Sequence, residues 1–311
     1  MDYNCKSMKA VLIGGAGFIG SHLSEALIHQ GHDIVVMDNL TSGKESNIPS
    51  SAKRLLYDAG DSRYCNDIEG DVIFYLATKA GQPSVVQGSI DNPVRFNDEN
   101  VGGFLRVLTI AVKKKIPIVF SSSSAVYGSG TKMAEDSELH CMSPYALQKL
   151  MCEQYLKLFH ELHGLHSVSL RYFNVFGEGQ PSGGAYASVI GKFLESAKRG
   201  MPFVSIGNND QRRDFVYVGD VVKANISSAE RLLTGQTKCD VFNVGSGANY
   251  SVAEIADIVT GNKTEWGEKL PARIEPMETL ADNSKIKLVL GWQPTIDLKT
   301  WLEKIRDSMI P

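Results

Sequence analysis

No run of about 18 or more apolar residues occurs in this 311-residue chain, so no segment reads as a transmembrane helix. Met1 to Lys9 is short and polar and lacks the apolar core of a signal peptide. Cysteine is scarce. Cys5, Cys65, Cys141, Cys152 and Cys239 are odd in number and form no CxxC pair. This argues against a disulfide framework and for reduced thiols in the cytoplasm. An excess of one charge is also missing: 32 Lys and Arg face 35 Asp and Glu, a net charge of -3. There is no basic footprint for nucleic acid. Repeats and low-complexity tracts are absent as well. What remains is a chain that is 43% apolar, ample for a core in one large domain or two closely joined ones.

Short apolar runs alternate with longer amphipathic ones. Ala10 to Ile13 reads as a buried strand, Gly14 to Gly20 as a turn and Ser21 to Gln30 as a helix. Further strands are expected at Ile34–Met37, Arg54–Tyr57, Val72–Leu76, Ile116–Phe120 and Val168–Tyr172. Helices are expected around Phe96–Lys114 and Pro144–His163. Such alternation predicts an α/β fold, a doubly wound parallel sheet with helices on both faces. Gly177 to Ala185 is rich in Gly, Pro and Ser and marks a domain boundary. Beyond it come a helix at Val189–Arg199, a strand near Phe215–Val218, a helix from Val221 to Leu233, a strand at Val241–Val244 and a helix at Val252–Val259. The division expected is a nucleotide-binding domain of residues 1–174 and 215–245, with a smaller α/β substrate domain of 175–214 and 246–311.

Gly14-Gly15-Ala16-Gly17-Phe18-Ile19-Gly20 lies between the first strand and the first helix. Gly14 suits the tight turn, Gly17 lets the backbone approach a pyrophosphate, and Gly20 permits close helix–sheet packing. The free N–H groups of the helix start attract the phosphates. Asp38 closes the second strand, where an acid accepts hydrogen bonds from a ribose and repels a 2′-phosphate. Asn39, Leu40 and Thr41 follow, with no arginine, which favours NAD over NADP.

Two YxxxK spacings occur. Tyr75…Lys79 runs from a strand into a loop, which need not bring the side chains together. Tyr145…Lys149 lies on a helix opened by Ser143-Pro144, where i and i+4 share a face. A cation beside the phenol favours phenolate and makes tyrosine a usable base. Ser121 to Ser124 follow an expected strand, at the sheet end where ligands bind. His160, His163 and His166 run through Gly164 with no acid or thiol framework, so they read as a solvated helix end rather than a metal site.

Together GGAGFIG, Asp38-Asn39-Leu40, Tyr75-Leu76-Ala77, SSSSAVYG, SPYALQK, RYFNVFG, RRDFVYV, FNVGSG and LADNSKIKLVLGW resemble the extended short-chain dehydrogenase/reductase family over nearly the whole chain. Within it the chain is most similar to NAD-dependent nucleotide-sugar 4-epimerases of the UDP-glucose and UDP-N-acetylglucosamine type. The resemblance implies Tyr145 as acid/base, Lys149 as its electrostatic partner and Ser123 as the hydroxyl clamp. It implies cofactor contacts from Gly14, Gly17, Phe18, Ile19, Gly20, Asp38, Asn39, Asp58, Ala59, Leu76, Ala77, Lys79 and Tyr172. Asn174, Ser188 and Val189 match nucleotide-sugar contacts, and Arg213 and Arg273 match a pyrophosphate clamp.

Related 4,6-dehydratases and decarboxylases carry an acid directly after the clamp residue. Here Ser124 and Ala125 occupy those positions, which favours epimerisation through a transient 4-keto sugar. A 4,6-dehydratase and a non-catalytic NAD-binding regulator are the alternatives. Thr279 stands where hexose-restricted epimerases have a bulky tyrosine, which implies room for a 2-N-acetyl group. The family usually dimerises through the helices matching Asn92–Lys114 and Pro144–His163, so a homodimer is implied.

Overall fold

A computed structural model describes residues 7–58, 60–61, 67–79, 84–182, 188–207, 209–270 and 275–309. In chain order the strands are β1 (Lys9–Ile13), β2 (Asp33–Met37), β3 (Lys53–Leu55), β4 (Val72–Tyr75), β5 (Ile118–Ser123), β6 (Ser167–Tyr172), β7 (Asn174–Phe176), β8 (Phe203–Ile206), β9 (Arg212–Tyr217), β10 (Cys239–Val244), β11 (Asn249–Ser251) and β12 (Trp266–Leu270). The α-helices are α1 (Phe18–His29), α2 (Val85–Asp91), α3 (Pro93–Asn97), α4 (Gly103–Lys114), α5 (Pro144–His163), α6 (Val189–Lys198), α7 (Val218–Leu233), α8 (Val252–Thr260), α9 (Ser284–Leu290) and α10 (Leu298–Met309).

Seven strands pair in parallel in the order β10-β6-β5-β4-β1-β2-β3. This is the doubly wound α/β sheet. Successive side chains of a strand point to opposite faces, and both faces here are covered. Ala10 and Leu12 of β1 join one cluster, with Leu23 of α1 and Val221 of α7. Val11 and Ile13 join the other, with Phe104 and Leu108 of α4 and Leu156 of α5. Full burial of a side chain such as Phe104 contributes roughly 2–3 kcal/mol. Strand order reverses between β1 and β4, and that switch point opens a crevice at the carboxyl ends of the strands.

Unpaired backbone groups along the exposed side of β10 find side-chain partners. Asp240 accepts from the Val241 N–H, Glu135 from the Asn243 N–H, and Lys285 donates to the Val241 carbonyl. An edge so occupied offers little to a foreign strand.

Three-stranded β11-β9-β7 and two-stranded β12-β8 form a second layer. Its core joins Phe176, Phe193, Phe215, Ile255 and Trp301. β9 crosses the expected division at Asp214/Phe215. Phe215 belongs to this second core, whereas Val216 belongs to the main one. β9 is therefore not a strand of the large sheet.

Several element bounds differ from the sequence reading. α1 starts at Phe18, directly after the glycine turn, because Gly17 adopts the extended N-cap conformation. β5 begins after Pro117 and includes Ser121 to Ser123, so the serines are strand residues. The helix expected from Phe96 to Lys114 is broken by a π-turn at Asp98–Gly102. α7 begins at Val218 rather than Val221. Among the described residues, no helix is long and apolar enough to cross a membrane.

Candidate active site

Backbone crowding explains the glycine turn. Gly14 has φ +82°, and a Cβ there would lie 2.6 Å from the Ala77 nitrogen at the end of β4. A Cβ at Gly20 would lie 2.6 Å from the Gly14 carbonyl oxygen. The turn therefore lies flat against the sheet end, and no side chain caps the first turn of α1. Its free N–H groups suit a pyrophosphate. One Asp38 oxygen accepts the Ala16 N–H at 3.0 Å, and the other accepts the Leu40 N–H at 2.8 Å. The acid thus fixes the glycine turn to the end of β2 and lines the crevice. Asn39 donates to Asp58 at 3.2 Å, joining the second and third strand ends.

The crevice is a cavity of about 460 Å³. Gly14, Gly17, Phe18, Ile19, Gly20, Asp38, Asn39, Asp58, Leu76, Ala77, Lys79, Ser123, Tyr145, Lys149, Tyr172 and Asn174 all line it. A floor of glycine backbone, a helix N-terminus and Asp38 at the second strand's end fit a dinucleotide with a free ribose 2′-hydroxyl.

Tyr145 opens α5, whose Ser143 side chain accepts the Ala146 N–H and whose Pro144 fixes the first turn. Ser89 on α2 accepts the Tyr145 N–H at 3.0 Å. Tyr145 and Ser123 both line the cavity, and the Ser123 hydroxyl accepts the Ala125 N–H at 3.2 Å. Lys149 is buried, with Nζ 2.7 Å from the Ser121 carbonyl and 5.9 Å from the centre of the Tyr145 ring. Burial lowers the Lys149 ammonium to about 8, with Cys152 and Glu153 opposing. Burial raises the Tyr145 phenol, and Ser123 pulls it back. The Lys149 ammonium is thus anchored to the Ser121 carbonyl, beside the Tyr145 ring.

Tyr75 and Lys79, the other YxxxK pair, part company. Tyr75 packs edge-on against Phe104, whereas Lys79 Nζ pairs with Glu99 at 2.7 Å. Burial acts to raise Glu99, but bonds to Lys79 and Arg95 outweigh it and hold the carboxyl below its ordinary range. The π-turn presents Asn100, which accepts the Lys79 N–H at 2.7 Å and donates to Gln148 of α5 at 2.8 Å. Tyr172 links the Ser121 hydroxyl to Asn225 of α7, and burial pushes its phenol up to about 12.

The profile of the NAD dependent epimerase/dehydratase family matches residues 10–245. The chain belongs to that family. Its cofactor is NAD, as the glycine turn and Asp38 require. A relative in Methanocaldococcus jannaschii, a putative UDP-glucose 4-epimerase, is 36% identical and covers 96% of this chain and 97% of its own. A UDP-glucose 4-epimerase of Thermotoga maritima, solved with UDP-glucose, superposes with a TM-score of 0.88 at 33% identity over 96% of this chain and 98% of its own. A UDP-N-acetylglucosamine 4-epimerase of Methanobrevibacter ruminantium, solved with UDP-N-acetylmuramic acid, gives 0.87 at 34% identity over 98% of this chain and 99% of its own.

Other residues expected at the site of this family member lie elsewhere. Ser188 caps α6 by accepting the Gly191 N–H and donates to Gln180, and Val189 is the first residue of that helix. Arg213 donates to Glu275 at 3.2 Å and to the Arg212 carbonyl at 3.0 Å. Thr279 is buried, and its hydroxyl accepts the Asp214 N–H at 3.3 Å. None of these four lines the cavity. Ala59 and Arg273, like Cys5 and Cys65, lie outside the described residues. His160 Nδ1 lies 2.8 Å from the Leu165 carbonyl at the end of α5. Glu99, Asn100 and Ser89 were not foreseen. Ser89 and Asn100 carried no local signal, since their roles depend on packing between distant elements.

Proposed function

We propose that this protein is a UDP-sugar 4-epimerase in which Tyr145 serves as the single acid and base. One observation carries the reading: Ser123, Tyr145 and Lys149 meet in a cavity whose only described carboxylates are Asp38, Asp58 and Glu99. Asp38 and Asp58 belong to the cofactor end. Glu99 is held ionised by Lys79 and Arg95 and has no proton to give. A dehydratase needs a proton donor for departing water, whereas epimerisation takes and returns one proton at one oxygen.

Tyr145 removes the proton of the sugar 4-hydroxyl while Ser123 holds that oxygen. NAD, which the glycine turn and Asp38 would hold, would supply the acceptor and donor of the C4 hydride in the passage through a 4-keto sugar. Tyr145 then gives the proton back. Lys149, from behind, keeps positive charge near the phenol and fixes the Ser121 carbonyl. Asn174, at the mouth, and the arginines at Arg213 and Arg273 would hold the nucleotide diphosphate throughout. Arg213 would have to exchange Glu275 for the pyrophosphate. Likeness to a UDP-N-acetylglucosamine 4-epimerase supports acceptance of UDP-GlcNAc and UDP-GalNAc beside UDP-Glc and UDP-Gal, with Thr279 as the position to test. Residues 1–174 and 215–245 would then form the NAD domain, and 175–214 with 246–311 the sugar-nucleotide domain.

The same reading includes a cytoplasmic homodimer. Leu147, Leu158 and Leu162 of α5 are 50%, 43% and 64% exposed and share one helix face, which supports self-association through it. A Leu158→Lys/Leu162→Lys variant is expected to sediment as a monomer.

The activity is tested by incubating the protein with each of the four UDP-sugars, with and without added NAD, and following products by proton NMR. Interconversion of 4-epimers is expected. A 4-keto-6-deoxy product, or no product from protein that holds NAD, would sink the reading.

A further inference from the structure

The face of α5 that carries Tyr145 and Lys149 continues one turn further to Glu153, at the same i, i+4 spacing. Two residues of that face grip β5, and the third meets the end of that strand in the cavity. Lys149 Nζ donates to the Ser121 carbonyl, the Ser122 hydroxyl donates to Glu153 Oε1, and Tyr145 lines the cavity with Ser123. Glu153 is 5% exposed and is held from the neighbouring strand by Arg171, 4% exposed. The fork is bidentate: Nε to Oε1 at 3.0 Å and Nη2 to Oε2 at 2.7 Å. Arg171 Nη1 also donates to the Tyr127 hydroxyl at 2.8 Å, in the turn that directly follows Ser123. Tyr127 in turn donates to Asn243 of β10 at 2.7 Å. One carboxylate thus fixes helix, strand and turn around the clamp serine.

We propose that Glu153, locked by Arg171, is a positioning residue for the reaction: it sets the register of α5 on β5 that brings Tyr145 to Ser123, and it holds a negative charge one helical turn behind Lys149. The proposal rests on the 4-epimerase reading for its kinetic effect. The titratable and charged groups around Lys149 and Glu153 are Tyr145 and Cys152 on α5, Tyr75 on β4, Arg171 and Tyr172 on β6, Tyr127 in the turn, and Glu135 and Cys141 in the connection before α5. Burial raises each of those tyrosines and cysteines, so they stay neutral, and the Glu135 carboxyl is turned to the Asn243 N–H of β10. Glu153 is therefore the anion that supports the Lys149 charge against burial. Without it, both the loss of the carboxylate and the uncompensated Arg171 act to deprotonate Lys149 at lower pH.

The test uses the full-length NAD-bound protein with UDP-Gal and, in parallel, a carbon-13 NMR titration of the Lys149 side chain, assigned with Lys149→Gln. Glu153→Gln is expected to lower kcat about 10- to 100-fold with KM and NAD content nearly unchanged. It is also expected to move both the Lys149 titration and the alkaline limb of kcat to lower pH. Glu153→Asp keeps the charge and should restore the titration while kcat stays intermediate. Ser122→Ala removes only the strand contact and should lower kcat about 5-fold with the titration unmoved. If Glu153→Gln does not fold, Ser122→Ala and Glu153→Asp decide.

A wild-type kcat in Ser122→Ala, an unmoved Lys149 titration in folded Glu153→Gln, or losses that follow only the folded fraction would overturn the proposal. Wild-type protein without epimer turnover would sink the epimerase reading instead. The Lys149 titration needs no substrate and still decides the role of Glu153 as the supporting charge.

Discussion

The cavity and the region beyond it are built from different material. In the cavity, Gly14, Asp38, Ser123, Tyr145 and Lys149 sit on the ends of β1, β2 and β5 and on the first turns of α5. Each is fixed by backbone geometry or by a partner on an adjacent element, as Tyr145 is by Ser89. Beyond it, Arg213 is engaged by Glu275, Ser188 by Gln180, and Thr279 by the backbone of β9. Those side chains have internal partners, and none lines the cavity. In the proposed function the contrast separates chemistry from recognition. The proposed reacting groups are preorganised by the sheet, whereas the proposed ligand-holding groups would have to leave internal partners to act.

The sharpest break of this comparison is at the preorganised side. Tyr145→Phe should reduce epimer interconversion about 10³-fold while retaining NAD and the wild-type melting temperature, measured by NMR, cofactor release and calorimetry. Equal losses of activity and cofactor would mean that the phenol serves binding rather than chemistry. Next comes Arg213, beyond the cavity. Arg213→Ala should raise KM for UDP-Gal about 10-fold with kcat held, because in the proposed function the arginine would hold only the tethered diphosphate. Glu275→Gln frees the same guanidinium and should lower KM severalfold. A KM that rises in both variants would show that the ion pair itself shapes the site.

Thr279→Tyr should slow UDP-GlcNAc about 10-fold more than UDP-Glc in steady-state assays. It should also destabilise the fold by about 1–3 kcal/mol in urea titration, since the Asp214 N–H loses its acceptor and the buried space is overfilled. Equal slowing of both sugars would assign the effect to folding alone. The smallest effect is on pH. Lys149, lowered to about 8 by burial, loses its charge as pH rises through that value. The activity should halve near pH 8 and decline further above it, and substitution of Lys149 by Met should remove this limb. A profile that rises through pH 8 would assign the limb to the phenol.

The difference between the two sides also governs what could be read in advance. Alternation of apolar strands with amphipathic helices prescribes the parallel sheet, because residues such as Leu12 and Ile13 must each find a covered face. GGAGFIG places its own phosphate turn through local backbone sterics at Gly14 and Gly20. Tyr145 and Lys149 share a helix face by spacing alone, and Glu153, at the next i+4 step, was equally open to that argument. Apart from β9, expected near Phe215–Val218, the strands of the small sheets and α2, α9 and α10 carry too weak a periodicity to be legible, with lengths of 3 to 12 residues.

Sequence by itself thus determined the alternation of strands and helices, the cofactor turn, the place of Asp38 at a strand end and the helical pair, all of which are written in patterns a few residues long. Tertiary structure alone decided that Lys149 donates to the Ser121 carbonyl, that Lys79 pairs with Glu99, that Asn100 bridges a π-turn to α5, and that Arg213 faces Glu275. The physical reason is common to all four. A buried polar group takes whichever partner packing brings within hydrogen-bond distance, and that partner comes from another element of the chain.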